Sequence, residues 1–253
     1  MKDFFILSKL RLTLSVLFTF VISYYLAHHT YSLFYTLGVY CIISAATLSN
    51  SLIEKKDDAL MLRTKKRTPL LPKRNWKFIV FLLLLMGSIF LFKNIFLLFG
   101  SWLGFFSYIF VYTPLKKISP LALYAGTLPG ALPPFFGAYP SDYAYYLFVL
   151  LVLWQIPHFL ALSLLYKRDY IKTSFRMHST LYSHRRIYNE IFFFSLLLIL
   201  VSEGFVFFYK NIYVFLGVSI LNIFYFFQIF RSVKKFFFTT LVYLPLHLLL
   251  LIL

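Results

Sequence analysis

The segment Asn50-Ser51-Leu52-Ile53-Glu54-Lys55-Lys56-Asp57-Asp58-Ala59-Leu60-Met61-Leu62-Arg63-Thr64-Lys65-Lys66-Arg67 closes a long apolar run. It holds three of the eight acidic residues of a 253-residue chain. At about 100° per residue a helix places Asn50, Glu54 and Asp58 within roughly 80° of one another, with Asp57 close to the same face. An amide and three carboxylates gathered there, followed at once by Arg63, Lys65, Lys66 and Arg67, suit Mg²⁺ bridging to a substrate phosphate, because both ion and phosphate select hard, charged partners. A merely solvated loop beyond a membrane helix accounts for the positive charges. It gives no reason for carboxylates at four-residue intervals.

Outward from this segment the chain is apolar. Hydrophobic residues make up 61%, aromatics 22%, and mean hydropathy is +0.80, well above the roughly 45–50% apolar content of soluble domains. The expectation is an all-α polytopic membrane protein, a single domain over residues 1–253, with spans near 10–27, 31–50, 76–93, 95–112, 119–138, 143–166, 190–209, 212–230 and 236–253. The runs lack the strict alternation of a barrel strand, and helices satisfy their own backbone in lipid. With the amino terminus on the cytoplasmic side, nine spans leave only Lys93 and Lys210 of the 25 Lys and Arg residues on the far side, as the positive-inside bias requires. This arrangement puts the carboxyl terminus outside. The net charge of +17 lies in short loops between spans, so orientation explains it and nucleic acid is not expected as a partner. Lone Cys41 excludes an intrachain disulfide and is read as packing. The first apolar run lacks a small-residue cleavage site, so no removable signal peptide is expected.

Two further constellations stand out. Tyr112-Thr113-Pro114-Leu115-Lys116-Lys117 leads into a stretch carrying Pro120, Gly126, Pro129, Gly130, Pro133, Pro134 and Gly137, which will not form a straight helix. Broken helices at membrane depth line polar cavities, although a kinked helix packed through small residues also fits. Lys116 and Lys117 are candidate diphosphate ligands or topogenic charges. The second constellation is Trp154-Gln155-Ile156-Pro157-His158-Phe159, followed by Asp169-Tyr170. Gln155 and His158 share a helix face in an apolar segment, where polar groups are expensive and face interior cavities. Asp169 is a candidate second metal anchor facing Asn50, Glu54 and Asp58, or a partner of its basic neighbours. Glu203 and His247 have no evident role.

Taken together, these motifs resemble the UbiA superfamily of intramembrane prenyltransferases, and more closely its protoheme IX farnesyltransferase (heme O synthase) branch. The resemblance rests on Asn50, Glu54, Asp58, Met61, Arg63, Thr64 and Arg67; on Tyr112 to Lys116 with Leu121 to Gly126 and Gly130 to Pro134; and on Trp154 to Phe159 with Asp169-Tyr170. It covers roughly residues 45–180. Departures are Thr68-Pro69 after Arg67, and Lys117 where arginine is usual, a change that loses the forked contact.

The resemblance implies farnesyl transfer from farnesyl diphosphate to a vinyl group of protoheme IX (heme B) by ionisation to an allylic cation. Asn50, Glu54 and Asp58 would be catalytic, binding Mg²⁺ with Asp57 and Asp169. Arg63, Lys66, Arg67, Lys116 and Lys117 would bind diphosphate. Gln155, His158, Tyr112 and Tyr170 would contact heme or substrate. It also implies a plasma (inner) membrane location with the active site toward the cytoplasm, and product delivery to heme A synthase or terminal oxidase assembly factors. Two other readings stay open: a UbiA-type transferase acting on a quinone precursor, and a transporter, for which the broken helix is suggestive.

Overall fold

Polar residues at the ends of the apolar runs punctuate the chain as helix caps. Ser32, Asn75, Asn94, Asn211 and Ser232 each accept hydrogen bonds from backbone N–H groups in the first turn that follows, satisfying donors that a helix start leaves free. A computed structural model describes all residues except Met1, Arg74, Tyr209 and Lys210, with the backbone only at Lys2 and at 71–73. Lys210, counted above among the far-side charges, lies outside the described residues.

The described residues are helical in every segment where a span was expected. We label them α1 (Leu10–His28), α2 (Leu33–Ile53), α3 (Trp76–Leu91), α4 (Ile95–Ile118), α5 (Leu128–Ala138), α6 (Asp142–Leu165), α7 (His184–Phe208), α8 (Ile212–Ile229) and α9 (Val233–Leu250). Seven are long and apolar enough to cross a membrane. The other two are shorter than expected: α3 has 16 residues, and 119–138 divides at Gly126-Thr127 into Ala122–Ala125 and α5.

The breaks follow from proline. Pro114 has no N–H to donate back into α4, and the turn before it widens into a π-helical stretch, Ser107–Tyr112, the usual outcome when one residue too many must fit the ladder. Thr113 Oγ1 donates to the Tyr108 carbonyl at 2.8 Å.

Around this axis α2 packs along α3, α5 contacts α1, α4 and α6, and α6 reaches α7 and α9, which both contact α8. Gly100 on α4 lets Phe136 of α5 lie directly against the backbone: a Cβ there would meet the ring at 2.1 Å. Two buried clusters form, one around Phe20, Ile42, Leu91, Leu97 and Phe105, the other running from Ile22 and Leu147 to Val218, Tyr225 and Leu248. Phe81, Ile89, Phe96, Phe207, Ile220 and Phe227 remain exposed, the outward apolar surface expected of a helical bundle in lipid.

Candidate functional site

The loops carrying the positive charge meet at one end of the bundle. Met61, Tyr170 and Phe175 bury against one another with Tyr166 and Met177, a small apolar cluster that ties the loop after α2 to the loop after α6. Lys9 reaches Asn50 and Glu54, Lys117 reaches Asp57, and the Arg176 N–H donates to the Lys116 carbonyl at 2.7 Å. The chain start and three loops therefore share one site.

The acidic face lies inside it. Asn50, Glu54, Asp57, Asp58 and Asp169 are all buried. The helix breaks at Glu54 and restarts as Lys55–Leu60, yet the Glu54 N–H still donates to the Asn50 carbonyl at 2.9 Å and the Asp58 N–H to the Glu54 carbonyl at 2.8 Å, so the four-residue spacing survives the break. Each carboxylate has its own cation or donor. Glu54 pairs with Lys116, with Lys9 at 4.0 Å; Asp58 faces Arg67 at 3.7 Å. Asp57 pairs with Lys117 at 2.9 Å and accepts from the Ser174 N–H and hydroxyl at 2.9 and 2.8 Å. Burial pushes the Glu54 carboxyl up, but Lys116, Lys9 and a hydrogen bond from Asn50 outweigh it and hold the group below the ordinary carboxylate range. Asp57 is likewise held down, burial being overcome by Lys117 and Ser174.

Asp169, the expected second metal anchor, faces the loop after α2. Its two oxygens accept the Leu62 and Arg63 N–H groups, each at 3.3 Å, closing the turn after Lys55–Leu60. Among the described residues no three or more Asp, Glu, His or Cys side chains gather closely enough to hold a metal. Glu54, Asp57 and Asp58 each face their own lysine or arginine instead, and Asp169 faces backbone N–H groups. The donor chemistry nonetheless fits Mg²⁺: Asn50, Glu54 and Asp58 offer hard oxygens, and Asp58 Oδ2 is buried without a hydrogen bond.

Of the expected diphosphate ligands, Lys116 is buried over the Tyr112 and Phe175 rings at 4.6 and 5.0 Å. Arg63 lies over the Tyr166 ring at 4.6 Å and donates to the Tyr170 hydroxyl at 3.2 Å. Arg67 and Lys117 face Asp58 and Asp57, and Lys66 is exposed. Beside Lys116 opens a small cavity of about 60 Å³ lined by Tyr112, Phe159, Leu162, Tyr170, Arg176 and His178 among others. A Cβ on Gly126 would stand 2.6 Å from the Tyr112 ring, so glycine is what allows that ring to reach the cavity wall.

Gln155 and His158 are buried but do not line this cavity. Gln155 Nε2 donates to the Thr127 and Leu151 carbonyls at 3.1 and 3.0 Å. His158 stacks between Trp154 and Phe237, and its Nδ1 meets Thr240 Oγ1 at 2.8 Å. Both lock α6 to its neighbours.

Sequence reasoning missed three contributors. Lys9 carries no motif and counts in the sequence only toward the sidedness of charge, although it donates to Asn50 Oδ1. Ser174 carried no motif. His178, on the cavity wall, has its Nε2 3.6 Å from Glu190, which also takes Arg186 Nε at 3.2 Å and the Tyr124 hydroxyl at 3.4 Å; the 11 residues between His178 and Glu190 in the sequence give no sign of that pairing.

A profile of the UbiA prenyltransferase family matches residues 12–236. The chain is 31% identical over 191 residues to the protoheme IX farnesyltransferase of Cytophaga hutchinsonii, the alignment covering 70% of this chain and 67% of that protein. It is 34% identical to the one from Flavobacterium psychrophilum over 70% and 64% of the two chains, and 31% identical to that of Christiangramia forsetii over 80% and 72%. Matches therefore span about two thirds of the relatives' length. In fold, the chain is similar to a structure reported for digeranylgeranylglyceryl phosphate synthase, with a TM-score of 0.78 at 14% identity over 99% of this chain and 96% of that one. A UbiA homologue from Aeropyrum pernix K1 superposes with a TM-score of 0.66 at 15% identity, over 94% of each chain. With the profile spanning most of its length, this chain belongs to the UbiA prenyltransferase family.

Proposed function

We propose that the chain transfers the farnesyl group of farnesyl diphosphate to a vinyl group of protoheme IX, giving heme O and diphosphate. Relatives named for that reaction support the choice of substrates. The observation that carries the assignment of the site is Lys116, which pairs with Glu54 inside the acidic cluster and also stands in the wall of the cavity. A diphosphate held by Lys116 points its prenyl chain into a space lined by Tyr112, Phe159, Leu162 and Tyr170.

In this reading Arg63, Lys66, Arg67, Lys116 and Lys117 hold the diphosphate oxygens. The C1–O bond breaks with its electron pair on the diphosphate, and the faces of Tyr112 and Tyr170 stabilise the allylic cation left behind. The vinyl π pair then forms the new carbon–carbon bond. Water adds to the resulting cation beside the porphyrin and releases a proton, leaving the hydroxyl. Asn50, Glu54 and Asp58, with Asp57 and Asp169 beside them, would hold Mg²⁺, which when bound neutralises charge on the leaving diphosphate. Gln155 and His158 shape the acceptor side of α6. The same reading places nine helical crossings in the inner membrane as one domain, the amino terminus and site toward the cytoplasm, with heme A synthase or oxidase assembly factors receiving the product.

The test is purified protein in lipid discs supplied with Mg²⁺ and farnesyl diphosphate, offered heme B or 4-hydroxybenzoate in separate reactions. Mass spectrometry should find heme O in the first and no prenylated benzoate in the second. The reverse outcome would establish a quinone-precursor transferase instead.

A further inference from the structure

Asn50 would lead the metal ligands, yet both ends of its amide are taken. Its Oδ1 accepts from Lys9 Nζ, and its Nδ2 donates at 3.0 Å to Thr113 Oγ1, which is itself fixed by the Tyr108 carbonyl. The ammonium of Lys9 also stands 4.0 Å from Glu54 Oε2, while Lys116 covers Oε1. The oxygen pair that Asn50 and Glu54 would present to a cation is thus already bridged by one.

The backbone at Lys9 departs from the rest of the chain. It has φ 50° and ψ 52°, and among the described residues only His29 shares a positive φ outside glycine. L-residues resist this left-handed conformation because Cβ crowds the following carbonyl, and such residues persist where their surroundings over-determine them. Here the side chain's contacts with Asn50 and Glu54 do so. The kink falls between the short helix Lys2–Leu7 and α1, whose first turn donates to the Lys9 carbonyl from Leu12 and Thr13 at 2.8 and 3.1 Å, so the backbone stays anchored and the flexible lysine stem carries the ammonium's movement.

Charge then limits what can bind. Glu54, Asp57 and Asp58 face Lys9, Lys116, Lys117 and Arg67 in ion pairs, so each of these three carboxylates is already compensated. A divalent cation arriving alone would meet a compensated cluster and would have to displace Lys9 from Asn50. Arriving with a diphosphate it would bring its own anion, and the displaced ammonium would gain phosphate oxygens as partners.

We infer that Lys9 stands in for the metal at Asn50 and Glu54, so that a divalent cation and a diphosphate enter this site only together, Lys9 passing from the carboxamide to the phosphate. The inference rests on the proposed metal–diphosphate reading of the cluster and adds to it a residue and an obligatory coupling. By linkage, each partner must raise the affinity for the other by the same factor.

The full-length protein is titrated in detergent by calorimetry with Mg²⁺ alone, inorganic pyrophosphate alone, and Mg²⁺ in saturating pyrophosphate. In the wild type, pyrophosphate should raise Mg²⁺ affinity at least about tenfold, the size expected when a charged hydrogen bond must otherwise be broken. Lys9→Met should bind Mg²⁺ without pyrophosphate, lose about tenfold in pyrophosphate affinity, and show a smaller enhancement. Equal wild-type affinity for Mg²⁺ with and without pyrophosphate overturns the inference, as does a Lys9→Met protein with the wild-type enhancement. Should Lys9→Met fail to fold, Lys9→Gln takes its place with the same expected outcomes, and equal wild-type affinities still overturn the inference. Absence of binding even with both ligands present rejects the metal–diphosphate reading and the inference with it.

Discussion

Replacing Lys116 with methionine removes the charge that links the acidic cluster to the cavity, and the structure sets how much that costs. The pair with Glu54 is nearly dry, with side chains 11% and 3% exposed, so solvent screening offers little relief. Breaking a buried pair by removing one member costs about 3–5 kcal/mol, because the other charge stays uncompensated. Both single variants fall toward the lower end. After Lys116→Met, Lys9 still stands 4.0 Å from Glu54. After Glu54→Gln, the ammonium keeps the faces of Tyr112 and Phe175, a contact of about 1–2 kcal/mol when desolvated. Each single substitution should therefore cost about 2–3 kcal/mol, a fall of roughly 5–10 °C in Tm for a chain of this size. The double variant should be no worse than either alone, so the coupling is about 2 kcal/mol or more. Thermal unfolding in one detergent gives the four midpoints, and transfer assays on the same samples should find both Lys116 variants inactive, the double variant included. Additive losses in Tm would refute the pairing, and an active double variant would refute the role of Lys116 as a diphosphate ligand.

Asp58→Ala should reduce transfer by about a thousandfold, the scale of losing one preorganised charge-stabilising group. Its Tm should stay close to wild type because the partner Arg67 is 23% exposed and can hydrate; full activity would refute the site. Gly100→Ala should destabilise by about 1–3 kcal/mol in thermal unfolding, since its Cβ would stand 2.1 Å from the Phe136 ring and 2.8 Å from its Cβ; an unchanged Tm would show that α4 and α5 can separate freely. Burial lowers the His178 pKa below its ordinary 6.5, with Glu190 opposing and Arg186 assisting. Because the folded value is the lower one, the unfolded chain takes the proton first: stability is full above 6.5 and declines as pH falls below it. The Tm difference between pH 7.5 and 5.5 should shrink in His178→Gln, with Glu190, Arg186, Tyr124 and Tyr182 left around the site.

How much of this was legible from sequence depends on the range of the interaction. Hydropathy and the sidedness of Lys and Arg are summed over whole segments, so helices appear wherever spans were expected even though single boundaries moved. The prolines and glycines after Lys117 announce a broken helix because their effect is local, whereas the π-helical turn before Pro114 depends on how that turn is packed. The spacing of Asn50, Glu54 and Asp58 survived because consecutive backbone hydrogen bonds preserve it across the kink. Contacts between distant loops were invisible: Asp57 with Ser174 is 117 positions apart and Lys9 with Asn50 is 41. Asp169 illustrates the same limit. The sequence offers it as a metal anchor facing Asn50, Glu54 and Asp58, and its oxygens accept the Leu62 and Arg63 N–H groups; a carboxylate there satisfies free N–H groups of a turn as readily as it would a cation.

On the proposed reading the positive loops serve topology and chemistry with the same atoms, which would explain why a charge-rich cluster persists at the mouth of an apolar bundle. Lysines and arginines that orient a membrane chain need only remain on one side, and hydrated in a loop they would do so. Here Lys9, Lys116, Lys117 and Arg67 instead turn inward onto Glu54, Asp57 and Asp58, giving up water for carboxylates that a stable fold could have replaced with apolar groups at little loss. A site held together by exchangeable ion pairs can admit a polyanion and a divalent cation by trading partners, keeping every buried charge compensated at each stage. An apolar mouth of the same shape would be easier to fold and would have nothing to exchange.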